Sequence, residues 1–213
     1  MQDNSKNAAE LLDAMQTGDT HALAELVSIH QSRIRHLIEM QLDTRLTGRV
    51  DTDDVLQEVF LDAAARIRHF NNEHSGSLFV WLRLITIQTL ANVHRRHFGT
   101  KMRDVSREMS IFRPNHNATT SLALQLLGHA TSPSQVAMRE ETAARLVEVI
   151  NEMSEIDRQI LKLRHFEQLT NSEASEVLDI QPKAASIRYI RALKRLKDVL
   201  AELPEFNDQP PDE

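Results

Sequence analysis

From Ser154 to Leu200 the chain is written as two short helices, a tight turn and one long basic helix, an order that few folds accommodate. Thr170 followed by Glu173 is a capping box, in which the hydroxyl takes the N–H three residues on and the carboxylate takes the N–H at the cap, so a helix is predicted from about Asn171. Ala174, Val177 and Leu178 give it one apolar side. Asp179, Ile180 and Gln181 separate it from Pro182, with Ile180 anchoring the turn in the core. Pro182 suits the first position of a helix, where its missing N–H has no partner to lose. Beyond it Ala185, Tyr189, Ala192, Leu196 and Val199 face inward, while Lys183, Ile187, Arg188, Arg191 and Lys194 fall mainly on the other side. Residues 182–200 carry Lys183, Arg188, Arg191, Lys194, Arg195 and Lys197 against Asp198 alone. A basic helix by itself is better explained as solvated surface. Preceded by a capped helix and a short turn, it has the layout of a helix-turn-helix whose long helix enters the DNA major groove.

Composition narrows the class. The chain has 213 residues, room for two small domains with cores of their own. Glycine (5) and proline (6) are scarce, aromatics are 4%, and no segment is rich in strand formers, so the fold class is all-α. With no cysteine, disulfides and thiolate metal sites are excluded. No apolar run follows Met1 and none approaches a membrane span, which predicts a cytoplasmic protein with no membrane partner. Net charge is −6, yet positive charge gathers in two patches, the second at Arg95, Arg96, Lys101, Arg103 and Arg107. That pattern points to a protein that reaches DNA as part of a larger assembly.

Hydrophobic spacing divides the chain into two helical domains, 5–98 and 133–203, joined by a flexible linker over 99–132 and followed by a disordered tail over 204–213. In the first domain, residues 5–17 read as a short helix. Asp19 caps a long one with the apolar stripe Ala22, Leu23, Leu26, Ile29, Ile34, Leu37, Ile38 and Leu42. A third helix opens on the acids of Asp51-Thr-Asp-Asp54 and runs to about His69. Residues 70–77 form a loop by their turn residues, and a helix from Leu78 to about His97 follows. Trp81 is read in phase with Leu78, Leu84 and Ile85, as core rather than as a stacking platform. In the second domain Ser132-Pro-Ser134 opens a helix ahead of the helix-turn-helix.

Three segments of the first domain stand in a telling order: Asp54-Val-Leu-Gln-Glu-Val-Phe60, then Trp81-Leu82 with Ile85, then the basic end Arg95-Arg96. Leu161 to Phe166, Glu173-Ala-Ser175 and Arg188 through Leu196 follow in the second. Together they resemble the bacterial RNA polymerase sigma factors of the compact extracytoplasmic-function (ECF) type, over about residues 8–203. The resemblance implies a region 2-like domain, a region 4-like domain, and a protein that binds core RNA polymerase and directs promoter recognition, promoter melting and transcription initiation. It implies no enzyme activity and no cofactor.

By that resemblance Asp51, Asp54, Gln57, Glu58 and Phe60 meet the clamp helices of the largest polymerase subunit, and the second domain meets the flap of the second-largest. Asn71, Asn72, His74 and Ser75, with Gln88, Arg95, Arg96, Lys101 and Arg103, take the minus-ten element as single strand, bases in a pocket and phosphates on cations. Lys183, Ser186, Ile187, Arg188 and Arg191 read the duplex minus-thirty-five element, Arg suiting guanine edges and Ile187 a thymine methyl. Lys194 and Arg195 touch phosphate. An anti-sigma factor is a further partner that the family commonly has. Gln181-Pro-Lys-Ala-Ala-Ser186 stands where many members have Ser-Glu-Gly-Thr-Val-Lys, so the promoter sequence read should differ.

From the residues alone, several segments keep a second reading. The acids of 51–54 also complement a helix dipole with no partner at all, and residues 70–77 also suit a plain polar connector. His94 and His97 lie three apart on one helix, but no ligand set accompanies them, so no metal is predicted. No Gly-rich phosphate loop, nucleophile elbow or paired-carboxylate site is present, which speaks against an enzyme, a helical hydrolase included. The competing class is a free-standing helix-turn-helix regulator whose first domain senses a ligand or dimerises. It would bury the Asp51–Phe60 face in a dimer, where a polymerase subunit leaves that face exposed.

Overall fold

The computed structural model describes residues 10–15, 17–46, 48–67, 70, 76–98, 123 and 133–201. The regular elements among them are helical. The chain separates into two compact units, Met1–Ile111 and Phe112–Glu213. The linker expected over 99–132 lies outside the described residues apart from the buried Ala123, and so does the tail over 204–213.

In the first unit residues 10–15 are helical and lead through Gly18, at φ 96°, to the cap of the next helix. There the Asp19 carboxylate accepts from the N–H groups of His21 at 2.8 Å and Ala22 at 3.3 Å. It starts α1 (Thr20–Gln41), which a 3₁₀ turn, Thr44–Leu46, follows. α2 (Thr52–Arg66) begins at Asp51, whose carboxylate accepts from the Asp53 N–H, and α3 spans Leu78–Phe98. Each of these three helices touches the other two. Leu23, Ile34, Leu37 and Ile38 of α1, Val55, Val59 and Ala63 of α2, and Phe79, Leu82 and Ile85 of α3 are at most 1% exposed. Fully burying a large aliphatic or Phe side chain is worth roughly 1.5–3 kcal/mol, so this cluster holds the three helices together. α3 also buries threonines without orphaning them. Thr86 Oγ1 donates to the Leu82 carbonyl at 2.8 Å, and Thr89 Oγ1 to Asp62 Oδ2 of α2 at 2.9 Å.

Three assignments to this core change. Ile29 is 61% exposed and Leu84 is 41% exposed. At about 3.6 residues per turn, Leu84 points opposite to the Leu82–Thr86 axis and Ile29 lies well off the Leu26–Leu37 axis. Trp81 is half-buried, at the edge of the core, with its ring centroid 5.2 Å from that of the buried Phe70.

The second unit contains α4 (Pro133–Glu152), α5 (Glu155–Leu161), α6 (Asn171–Val177) and α7 (Pro182–Ala201). α7 packs against each of the other three. It buries Ala185, Ala192 and Leu196 in a core shared with Leu146, Ile150, Ile160, Leu163, Phe166 and Ala174. After α5 the helix widens into a π-turn, Lys162–Phe166, and the chain leaves it through Gln168 at φ 52°. Arg164 Nη1 secures that exit by donating to the Leu169 carbonyl at 2.6 Å. The capping box of α6 is formed in both directions: Glu173 N–H donates to Thr170 Oγ1 at 3.2 Å, and Thr170 N–H to Glu173 Oε2 at 2.7 Å. α6 ends in a Schellman motif. Ile180 N–H donates to the Ser175 carbonyl at 3.0 Å and Asp179 N–H to the Glu176 carbonyl at 3.2 Å, with Asp179 left-handed at φ 50°. Ile180 is only half-buried. The turn is therefore held chiefly by backbone bonds rather than by the core anchor expected of that side chain.

Candidate nucleic-acid interface

Along one side of α7, Lys183, Ile187, Arg191 and Arg195 recur every fourth residue and are exposed, Ile187 at 43%. Lys194 is exposed beside them and Ser186 is half-buried. The presentation of this side is fixed from the turn, because Asn171 Nδ2 donates to the Pro182 carbonyl at 2.9 Å and ties the start of α6 to the start of α7. Arg188, grouped by sequence with the groove readers, is half-buried, and its Nη1 donates to Asp157 Oδ1 of α5 at 3.1 Å. Tyr189 turns to the π-turn instead: its hydroxyl lies 3.2 Å from His165 Nε2, and the Arg164 guanidinium stands 5.1 Å from its ring centroid. Burial, and then the charge of Arg164, push the His165 pKa down, which favours a neutral imidazole there.

Another flank of α7 forms an open groove of about 550 Å³, walled by Leu146, Ile190, Leu193, Leu196 and Leu200 with Lys194 and Lys197. Ile190 is 61% exposed. Sequence reading missed this groove. Its signal was the run Ile190, Leu193, Leu200, which extends the inward stripe further round the helix than one neighbour can cover.

In the first unit α2 exposes Asp54 and Gln57, and its cap Asp51 is exposed too, while Glu58 and Phe60 are half-buried. Val55 and Val59 belong to the unit's own core. The exposed apolar side chain of this face is Leu61, at 58%, four residues beyond Gln57 and seven beyond Asp54. Sequence reading did not single it out. Two acids of the helix have internal partners: Asp53 pairs with Arg35, and Glu58 with Arg96 at 2.6 Å. Glu58 and Arg96, expected to meet different macromolecules, thus share one polar hollow of about 190 Å³, lined also by Arg49, Asp54 and His97. With the Arg96 side chain 56% and the Glu58 side chain 41% exposed, the pair contributes only about 0–1 kcal/mol and is readily displaced.

On α3 the Gln88 carbonyl accepts from Arg66, and Arg95 donates to Asn92. Asn71, Asn72, His74, Ser75, Lys101 and Arg103 lie outside the described residues. His94 is occupied by the backbone, its Nε2 accepting from the Asp43 N–H at 3.4 Å, and burial pushes its pKa down. Hydrogen bonds from Arg45 hold the Asp43 carboxyl down to about 2. Among the described residues no three metal-binding side chains converge, and no helix is long and apolar enough to cross a membrane.

Residues 143–196, which take in the end of α4, all of α5 and α6, and α7 as far as Leu196, match the family Sigma-70, region 4. Beyond that segment, the ECF RNA polymerase sigma-E factor of Haemophilus influenzae is 24% identical over 193 residues, covering 91% of this chain and 95% of that protein. Over both units the chain is similar to ECF-type sigma factors of bacterial RNA polymerase. The RNA polymerase sigma-H factor of Pseudomonas aeruginosa is similar to a like degree, 26% identical over 199 residues, covering 91% of this chain and 94% of that protein. These alignments take in both units, which disfavours a free-standing regulator with an unrelated first domain. Two solved structures are also similar. That of CnrH in complex with the cytosolic domain of CnrY has a TM-score of 0.48 and 19% identity, covering 92% of this chain and 98% of that one. That of the sigma factor RpoE in complex with the anti-sigma factor NepR from Bartonella quintana has a TM-score of 0.40 and 16% identity, covering 85% and 98%.

Proposed function

We propose that the chain is a sigma factor and docks on the clamp helices of the largest polymerase subunit through the exposed side of α2, with Asp54, Gln57 and Glu58 meeting basic groups and Leu61 and Phe60 supplying apolar contact. Asp51 joins them while capping the helix. The exposed stripe of α7 reads the minus-thirty-five element: Lys183, Ile187 and Arg191 in the groove, Arg195 and Lys194 on phosphate. Ser186 and Arg188 take part at the edge of that surface, Arg188 after release from Asp157. The apolar groove beside it receives the flap of the second-largest subunit. Gln88, Arg95 and Arg96 of α3 act on the minus-ten strand together with Asn71, Asn72, His74, Ser75, Lys101 and Arg103. An anti-sigma factor would compete for these same surfaces. The protein holds and melts DNA without catalysing a reaction itself, and it does so in the cytoplasm.

The observation that carries this reading is the α7 stripe, four exposed positions at one helical interval, presented by an α6 that is capped, closed and tied to the start of α7. Reconstitution tests it. Mixed with sigma-free core polymerase on a promoter library, the protein should support initiation from a restricted set of sequences. Initiation without sequence selection, or none under any condition tried, refutes it.

A further inference from the structure

α3 carries two amide side chains one turn apart, Gln88 and Asn92, on a side of the helix away from Leu82 and Thr86. Each has its carbonyl engaged by an arginine. Arg66, the last residue of α2, donates from Nη1 to Gln88 Oε1, and Arg95 donates from Nη2 to Asn92 Oδ1. The two ends of an amide are alike in shape, but a guanidinium can only donate, so the atom facing each arginine has to be the oxygen. Both NH₂ groups are left on the far side, and among the described residues neither has a hydrogen-bond partner. The approach of Arg66 is constrained as well. One turn earlier on α2, Asp62 accepts from Thr89, the neighbour of Gln88, at 2.9 Å, so two adjacent bonds fasten α2 to α3.

We infer that Gln88 and Asn92 form a donor-only reading edge for the minus-ten strand, in which Arg66 is the positioning residue for Gln88 and Arg95 for Asn92. The inference rests on the proposed function, in which α3 faces that strand. A guanidinium on the carbonyl takes one lone pair and polarises the amide, which strengthens its N–H groups as donors and weakens its oxygen as acceptor. A free glutamine pairs with adenine by using both ends of its amide on N6 and N7, and Arg66 occupies and weakens the oxygen that adenine's amino group needs. On the major-groove edge guanine offers O6 and N7 and thymine offers O4, all acceptors, whereas adenine sets an amino group beside N7 and cytosine offers an amino group alone. The edge therefore selects keto bases over amino bases at the nucleotide it faces.

The test uses reconstituted holoenzyme on promoters randomised across the minus-ten element, with the wild type compared with Arg66→Met, Arg66→Lys, Gln88→Ala and Gln88→Glu. The wild type should prefer G or T over A or C at one position on the order of tenfold, and Arg66→Met should reduce that to about twofold or less. Arg66→Lys should keep the preference, because an ammonium also donates to the carbonyl. Gln88→Glu, which presents an acceptor in place of a donor, should move it towards A or C, and this arm stands even if Arg66→Met fails to fold. A folded Arg66→Met with the wild-type preference overturns the inference, as does a Gln88→Ala that changes the preference at no position while the wild type initiates selectively. In that last case the sigma function itself stands. No selective initiation by the wild type removes the functional reading and this inference with it.

Discussion

Arg188 and Arg191 sit three residues apart on α7 and do different things. Arg191 is exposed on the stripe, whereas Arg188 is held by Asp157. Arg191→Ala should change base preference in the upstream element by about 1–3 kcal/mol while leaving affinity for core polymerase intact. Equal loss of core binding would contradict the role given to it. Arg188→Ala should register first in the stability of the second unit, by up to about 1 kcal/mol, since the pair is partly exposed. Asp43 and His94 carry a pH response in the first unit. The Asp43 carboxyl sits at about 2 against an ordinary 3.8, so its contribution is present above 3.8 and is lost as pH falls towards 2. His94 is pushed below its ordinary 6.5 by burial, so the fold prefers it neutral and loses stability once pH drops under that value. Urea unfolding of the first unit should therefore weaken in two stages on acidification, and Asp43→Ala should abolish the lower stage. A single stage in the wild type counts against this assignment.

At the scale of elements, the helix-turn-helix depends on how its shortest helix is closed. α6 has seven residues, too few to persist alone, and both of its ends are fastened by specific bonds. Thr170→Ala removes the hydroxyl from the capping box and should cost about 1 kcal/mol, read as a lower midpoint in thermal melting. Because α6 is tied to the start of α7, promoter selectivity should weaken along with it. α2 behaves differently, since its inner side builds the core and its outer side is free for a partner. Leu61→Glu should leave the fold unchanged, the side chain being 58% exposed already, yet lower core-polymerase affinity by about 1.5–3 kcal/mol through lost apolar burial. Unaltered affinity in a pull-down with core enzyme would mean that Leu61 faces solvent in the complex.

For the whole molecule the decisive quantity is charge. The chain carries −6 overall while the α7 stripe is cationic. Long-range repulsion from the acidic remainder opposes the approach of DNA, and a polymerase that engages the α2 acids as proposed would remove part of it. The free protein should then hold promoter duplex only at the non-specific level, with Kd no tighter than about 10⁻⁶ M at physiological salt. Fluorescence anisotropy across a salt series, with and without core enzyme, measures this. Tight sequence-specific binding by the free chain would show that core polymerase is not needed to unmask the interface.

The sequence by itself determined what local chemistry can determine. The caps at Asp19, Asp51 and Thr170 and the helical spacing of apolar residues were enough for the helices and their starts, because each signal acts within a turn or two of backbone. The ordered motifs were enough for the family. Tertiary structure decided which side of each helix finds a neighbour. It turned Leu84 and Ile29 outward, exposed Leu61, closed Val55 and Val59 into the core, and left the Ile190 groove open, since periodicity describes a stripe and says little about how wide a neighbour covers it. It also paired Arg188 with Asp157, Glu58 with Arg96 and Gln88 with Arg66 across 22 to 38 residues of chain. Such pairings depend on how helices far apart in sequence are packed together, and that is why the charge carried by each helix was legible from the residues while its wiring was not.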